Sequence, residues 1–166
     1  MSGFIIAELA LGGGRLALCP MPGRDGDYAG NLARIVAWGP ALVLSMATGA
    51  EMAAHGAAGL GADLAALGIG WRHLPVPDYQ ADSPELRAGW ASASRAAHDH
   101  LAAGRGVLAH CLGGCGRSGM AVMRLMVEAG EDPGKAKARL RRVRGCAVEK
   151  DPQHDWAARG RFGPDG

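Results

Sequence analysis

The sequence predicts an α/β fold: a central, mostly parallel sheet flanked by helices, with a helical layer added by the C-terminal part of the chain. Three observations predict it. Short apolar runs of strand length alternate with longer amphipathic stretches, as in β–α–β units. Glycine and proline punctuate nearly every junction between them. After the last apolar run, Val107-Leu108-Ala109-His110, three helix-compatible stretches follow with no strand among them. At 166 residues the chain is long enough for one core and too short for two ordinary ones, so a single domain over 1–166 is expected.

Each element has a local reason. Phe4-Ile5-Ile6-Ala7 and Arg15-Leu16-Ala17-Leu18 read as strands around the turn Gly12-Gly13-Gly14, and Pro20-Met21-Pro22-Gly23 ends the second. Asp27 can cap a helix reaching about Trp38, with Leu32, Ile35 and Val36 on one face, before Gly39-Pro40 stops it. Ala41-Leu42-Val43-Leu44-Ser45 is a buried strand. Helical stretches run from about Glu51 to His55 and from Gly59 to Leu67, with Gly68 placed to end the second. Gly70 to Leu74 is a strand, and Pro75-Val76-Pro77-Asp78-Tyr79-Gln80 is extended, because a proline disfavours helical backbone in the residue before it. Ser83 followed by Pro84 opens a long helix to about Ala103, and Val107–His110 is the last strand. Helices from Arg117 to Ala129, from Asp132-Pro133 to about Arg144, and from Asp151-Pro152 onward complete the chain.

The junction between that last strand and its helix carries the chemistry. In His110-Cys111-Leu112-Gly113-Gly114-Cys115-Gly116-Arg117-Ser118-Gly119, a cysteine and an arginine bracket a glycine-rich spacer of five residues. A glycine-rich turn lets successive N–H groups converge on one centre, and the N-terminus of the following helix adds positive potential there. The segment is an anion cradle with a nucleophile inside it. A cysteine in such a field is placed to act as a nucleophile, and an arginine can clamp two oxygens of a bound oxyanion. The cradle stands at the carboxyl end of a strand, where open α/β sheets bind ligands.

Composition narrows the remaining classes. With 48% hydrophobic residues and only 5% aromatics, Ala, Leu, Val and Met must fill the core. A formal charge of +2 gives no reason to expect nucleic-acid or membrane binding. No uninterrupted apolar stretch of about 18 residues marks a membrane span. The N-terminus shows no basic segment followed by an apolar run, so the expected setting is cytoplasmic and reducing, and the four cysteines, Cys19, Cys111, Cys115 and Cys146, suit a free catalytic thiolate better than a disulfide framework. His98, Asp99 and His100 lack a further ligand at metal spacing and read as a solvated helix face; neither metal nor cofactor is expected. Arg139, Arg141, Arg142 and Arg144 read as a solvated helix end favoured by the dipole, with attraction of acidic substrate segments as the alternative.

The cradle resembles the His-Cys-x5-Arg-Ser/Thr signature of the cysteine-dependent protein phosphatases, with Gly114, Gly116 and Ser118 matching as well. His73-Leu74-Pro75-Val76-Pro77-Asp78 is similar to the loop that carries the general acid in the dual-specificity branch. Ala147-Val148-Glu149-Lys150-Asp151-Pro152-Gln153 and Cys19-Pro20-Met21-Pro22-Gly23 resemble segments of the group containing the cyclin-dependent-kinase-associated phosphatase and its bacterial relatives. The resemblance covers about Leu18 to Trp156. It departs at Lys150, where threonine is usual, and at Cys115, more often Leu or Lys. It implies a protein tyrosine phosphatase-like fold.

Phosphomonoester cleavage uses a nucleophile, donors for three equatorial oxygens, and a proton for the leaving group. Cys111 is the expected nucleophile. The amides of Leu112, Gly113, Gly114, Cys115, Gly116 and Arg117, with the Arg117 guanidinium, are the expected phosphate-binding groups. Asp78 is the expected acid, with Asp82 as the alternative. Ser118 would ease departure of the sulfur, and Gln153 either places the hydrolytic water or is a polar residue of a helix start. His110 would fix the loop backbone rather than act as a base. Cys115 either fills the loop wall or forms a protective disulfide with Cys111. The expected substrate is a phosphorylated protein side chain, met by a monomer. A metabolite or lipid phosphate, a rhodanese-type sulfurtransferase, or a non-catalytic phosphopeptide-binding module are the alternatives.

Overall fold

The computed structural model describes residues 3–160; the ends of the expected 1–166 domain lie outside the described residues. Five strands form one sheet: β1 (Ala7–Leu11), β2 (Gly14–Cys19), β3 (Pro40–Ser45), β4 (Gly70–His73) and β5 (Gly106–His110). Their spatial order is β1-β2-β5-β3-β4, with β1 antiparallel to β2 and every other pairing parallel. Seven helices accompany them: α1 (Tyr28–Trp38), α2 (Gly49–Ala54), α3 (Leu60–Ala66), α4 (Pro84–Ala102), α5 (Gly116–Glu128), α6 (Pro133–Val143) and α7 (Asp151–Ala158). The predicted α/β class, central sheet and C-terminal helical layer are the observed ones.

Strand alternation splits the core in two. Leu42, Leu44, Val107 and Ala109 face the larger cluster, which contains residues of α4, α5, α6 and α7. Val43, Leu108, Ala17 and Cys19 face the other, with Ile35 of α1, Met52 of α2 and Leu60 and Leu64 of α3. Burial of both sheet faces explains why the central strands read as unbroken apolar runs.

The first strand lies later than expected. Of the expected Phe4–Ala7 strand only Ala7 is in a strand; β1 begins there, and its residues alternate between buried and exposed. The hairpin turn sets this register, since Leu11 pairs with Gly14 around Gly12 and Gly13, whose φ values of 62° and 90° suit glycine. Ile5 is consequently 52% exposed, while Phe4 packs into the second core. On α1 the buried residues are Asn31 and Ile35 rather than Leu32 and Val36, because Asn31 Oδ1 turns inward to accept the Gly23 N–H at 3.0 Å.

Two groups expected to be solvated are engaged instead. His98 is part-buried, with Nε2 3.1 Å from Glu128 Oε1, and Trp90 and Ser94 donate to the same buried carboxylate at 2.9 and 2.6 Å. Burial opposes the charge of Glu128, yet these partners hold its carboxyl below the usual range. The network locks α4 to α5. In the arginine cluster, Arg139 pairs with Glu131, Arg141 donates to the Ala147 and Val148 carbonyls, and Arg144 donates to the cradle.

The sheet delivers its strand ends in one row. Cys19, His110, Ser45 and His73 are aligned across β2, β5, β3 and β4 by their pairing register. The cradle, the loop before α2 and the acid-bearing loop all leave the sheet from this edge.

Candidate active site

His110 ends β5, fully buried, with its imidazole in a chain of hydrogen bonds. Trp71 Nε1 donates to Ser45 Oγ at 2.7 Å, which leaves the Ser45 hydroxyl proton for His110 Nε2 at 2.5 Å. Nδ1 then carries the hydrogen and donates to the Cys111 carbonyl at 3.1 Å. Burial pushes the His110 pKa down to about 4, so the ring is neutral. The Nδ1–H of this neutral imidazole holds the Cys111 carbonyl at the first peptide of the cradle.

Cys111 follows, buried, with Sγ 3.3 Å from Ser118 Oγ. Among the described residues no protein acceptor takes the N–H groups of Leu112, Gly113, Gly114 or Cys115. Those of Gly116, Arg117 and Ser118 are the orphan donors of the first turn of α5. Gly114 is required by the approach of β2: its φ is 73°, and a methyl there would lie 2.6 Å from the Cys19 carbonyl carbon and Pro20 N.

Arg117 is 1% exposed, and its donors are divided in two sets. Nη1 donates to Glu51 Oε1 at 2.6 Å and to the Val76 carbonyl at 2.8 Å, and Nη2 donates to Glu51 Oε2 at 2.8 Å. Nε is buried with no partner among the described residues. Nη2 also lies 3.2 Å from Asp78 Oδ1. A buried guanidinium N–H without an acceptor is costly unless an anion supplies one. One edge of the guanidinium is thus fixed by the protein, and the Nε–Nη2 edge is left to take two oxygens of an oxyanion.

Glu51 was not foreseen. It is the N3 residue of α2, in a capping box where Thr48 Oγ1 accepts the Glu51 N–H and Glu51 Oε1 accepts from Thr48 N at 2.9 Å. The bond to Arg117 is the main cause of its carboxyl pKa falling to about 2. The Thr48-x-x-Glu51 pattern was the only local signal, and it signals a helix start rather than a site.

Of the two acid candidates, Asp78 reaches the cradle arginine. Asp82 instead pairs with Arg87 at the surface. Tyr79, in the left-handed region at φ 62°, turns the chain after Asp78, and its ring lies 5.2 Å from Lys150 Nζ. Gln153 is fully buried beside the cradle. Its Oε1 accepts the N–H groups of Glu149 and Lys150 at 3.0 Å each, and Nε2 donates to the Gln80 carbonyl at 3.2 Å. The amide thus ties α7 to the acid-bearing loop.

Cys115 is not positioned to trap Cys111. Its sulfur is disulfide-bonded to Cys146, with Cα atoms 5.2 Å apart, while Cys111 and Cys19 are free thiols. The expectation of a free thiolate rather than a disulfide framework holds at Cys111 and is corrected at Cys115 and Cys146, and the alternative Cys111–Cys115 pairing is corrected as well. The side chain of Cys115, four residues on in a tight turn, leaves the cradle on its outer side. Cys19 is inert, since burial pushes its thiol pKa strongly up.

A thiol under a ring of amides, a half-engaged arginine and a carboxylate beside it define the class: a phosphatase with the cysteine-dependent dual-specificity fold. More particularly, residues 51–131, which include Glu51, Asp78 and the whole cradle, match the family model described as "Polymorphic toxin system, DSP-PTPase phosphatase". Among solved structures, kinase-associated phosphatase with its catalytic-site cysteine replaced by serine is similar over 95% of this chain and 93% of its own, at 22% identity and TM-score 0.81. Tk-PTP in its active form is similar over 90% and 92%, at 26% identity and TM-score 0.69. PTPMT1 bound to PI(5)P shares the fold over 86% and 87%, at 16% identity and TM-score 0.70. No curated protein matches.

Proposed function

We propose that the protein hydrolyses phosphomonoesters on protein side chains, phosphotyrosine together with phosphoserine and phosphothreonine, through a cysteinyl-phosphate intermediate. Cys111 Sγ attacks phosphorus in line, so that the S–P bond forms as the bond to the leaving oxygen breaks. The loop amides and the Nε–Nη2 edge of Arg117 hold the three equatorial oxygens as charge spreads onto them. Phosphate takes the place that Asp78 occupies on Nη2, and Asp78, protonated, gives its proton to the leaving oxygen. In the second step water attacks phosphorus, Asp78 takes a proton from it, and the S–P bond breaks while Ser118 Oγ–H supports the departing sulfur.

The observation that carries this reading is the unpartnered, buried Nε of Arg117 on a guanidinium already aligned by Glu51. A sulfurtransferase has no use for Asp78 and Ser118 at such places, and a binding module has no use for a nucleophile. The cradle itself holds no lysine, which favours a singly phosphorylated group over a polyanionic lipid. Hydrolysis of p-nitrophenyl phosphate tests the reading. Cys111→Ser should abolish turnover and retain binding of orthovanadate, whereas unchanged turnover in that variant would overturn it. A panel of phosphopeptides, phosphoinositides and sugar phosphates then reads the substrate class, with the phosphopeptides expected to give the highest kcat/KM.

A further inference from the structure

A second set of contacts holds the cradle from its outer side. Arg144, the C-cap residue of α6, donates Nε to the Gly114 carbonyl at 3.0 Å and Nη2 to the Gly113 carbonyl at 2.9 Å. Two residues on, Cys146 is disulfide-bonded to Cys115 within the cradle. The Val148 N–H donates to the Cys115 carbonyl at 3.2 Å. A methyl on Gly119 would approach Val148 N to 2.6 Å, so this segment lies flat against the start of α5.

Peptide planarity connects these contacts to the site. The carbonyl of one residue and the N–H of the next point in opposite directions across a trans peptide. An arginine that draws the Gly113 and Gly114 carbonyls outward therefore turns the Gly114 and Cys115 N–H groups inward, toward the anion. Two consecutive glycines have little preference of their own for that arrangement. The planar guanidinium fork matches two adjacent carbonyls as a lysine ammonium cannot.

We propose that Arg144 is a positioning residue for the phosphate-binding amides, and that the Cys115–Cys146 disulfide holds it there, so that the site is firm when the pair is oxidised and slack when it is reduced. The proposal rests on the phosphatase reading of the cradle. Reduction proceeds by thiol–disulfide exchange with a dithiol. One of its sulfurs attacks Cys115 or Cys146 and breaks the S–S bond, two electrons pass to the pair, two thiols form with proton uptake, and the dithiol becomes a cyclic disulfide. Cys146 is exposed and offers the point of attack. The sign is distinctive: oxidation of Cys111 would inactivate the enzyme and a reductant would restore it, whereas this brace makes a reductant lower activity.

The test measures p-nitrophenyl phosphate kinetics with and without dithiothreitol, and orthovanadate affinity without it, in wild type, Arg144→Ala, Arg144→Lys and Cys146→Ser, alongside unfolding temperature. Expected are a loss of about 10- to 100-fold in kcat/KM and a parallel loss of vanadate affinity in Arg144→Ala, the scale of small misplacements in an active site. Partial rescue by Arg144→Lys is expected. Dithiothreitol should lower wild-type kcat/KM toward the value of Cys146→Ser, which should itself be indifferent to it. Unchanged kinetics and vanadate affinity in Arg144→Ala, or in Arg144→Lys and Cys146→Ser where the alanine variant does not fold, would overturn the proposal. So would activation of wild type by dithiothreitol that is matched in Cys146→Ser. If wild type turns over no phosphomonoester, the phosphatase reading fails, and vanadate affinity in the same variants still decides the brace.

Discussion

Glu51 and Arg117, 66 residues apart, meet through two hydrogen bonds of 2.6 and 2.8 Å that fix the inner edge of the guanidinium. The pairing decides which donors remain for substrate. It also neutralises a buried cation, so its loss acts on stability and on activity.

Glu51→Ala leaves Arg117 buried without its carboxylate. Breaking a buried ion pair costs about 3–5 kcal/mol, and the 20% exposure of Glu51 places this case at the lower end. Glu51→Gln keeps one acceptor oxygen and should cost less. Both variants should lower kcat/KM, by about 100-fold for alanine, as the Nε–Nη2 edge loses its aim. Chemical denaturation and steady-state kinetics on the two variants check this; an alanine variant with wild-type kcat/KM would count against the alignment.

Asp78 and Asp82 are separated by their partners. Asp78 lies 3.2 Å from Arg117 Nη2, and Asp82 is held by Arg87 at the surface. Asp78→Asn should lower kcat by about 100-fold or more, most severely for substrates with poor leaving groups. Asp82→Asn should change kcat less than about threefold, since exposed ion pairs contribute little. A series of aryl phosphates of graded leaving-group pKa reads the difference as a steeper dependence in Asp78→Asn alone.

Two groups of the site contribute to the pH dependence of stability. His110 has a folded pKa of about 4 against an ordinary 6.5, so below 6.5 the unfolded chain binds the proton that the folded chain refuses. Its contribution is complete above pH 6.5 and is lost as pH falls toward 4, amounting to about 3 kcal/mol at about 1.4 kcal/mol per tenfold change in proton affinity. Glu51, with its pKa lowered from 4.5 to about 2 chiefly by Arg117, stabilises above 4.5 and loses that contribution as pH falls toward 2. Urea unfolding from pH 8 to about 2.5 should show stability falling below about 6.5. His110→Asn should flatten that part of the curve, leaving the later decline from the carboxylates Glu51 and Glu128.

What the sequence disclosed followed how local each feature is. The cradle was legible because nucleophile, glycines, arginine and hydroxyl are contiguous between Cys111 and Ser118. The helix starts at Asp27, Ser83 and Asp132 were legible because a cap acts within three residues. Glu51 was hidden because its local pattern is fully explained by capping Thr48. The Cys115–Cys146 bond joins residues 31 positions apart, and Arg144 looked like one member of a basic helix end. Nothing near any of these residues names its partner; only the tertiary fold, which brings α2 to Arg117 and the end of α6 and the following turn to the cradle, does.

Gln153 offers a case where two roles share one geometry. Its Oε1 accepts two N–H groups at the start of α7 and its Nε2 donates to Gln80, two residues after Asp78. If the amide acts as a strut, Gln153→Ala frees the acid-bearing loop, and formation of the phosphoenzyme slows most with poor leaving groups. If it places the hydrolytic water, the second step slows instead, and the phosphoenzyme accumulates. All of its oxygen's acceptor capacity goes to backbone, so the strut is the expected outcome. Rapid mixing of Gln153→Ala with p-nitrophenyl phosphate should show no burst of p-nitrophenol beyond that of wild type. A burst approaching one equivalent, followed by slow turnover, would assign the residue to water placement.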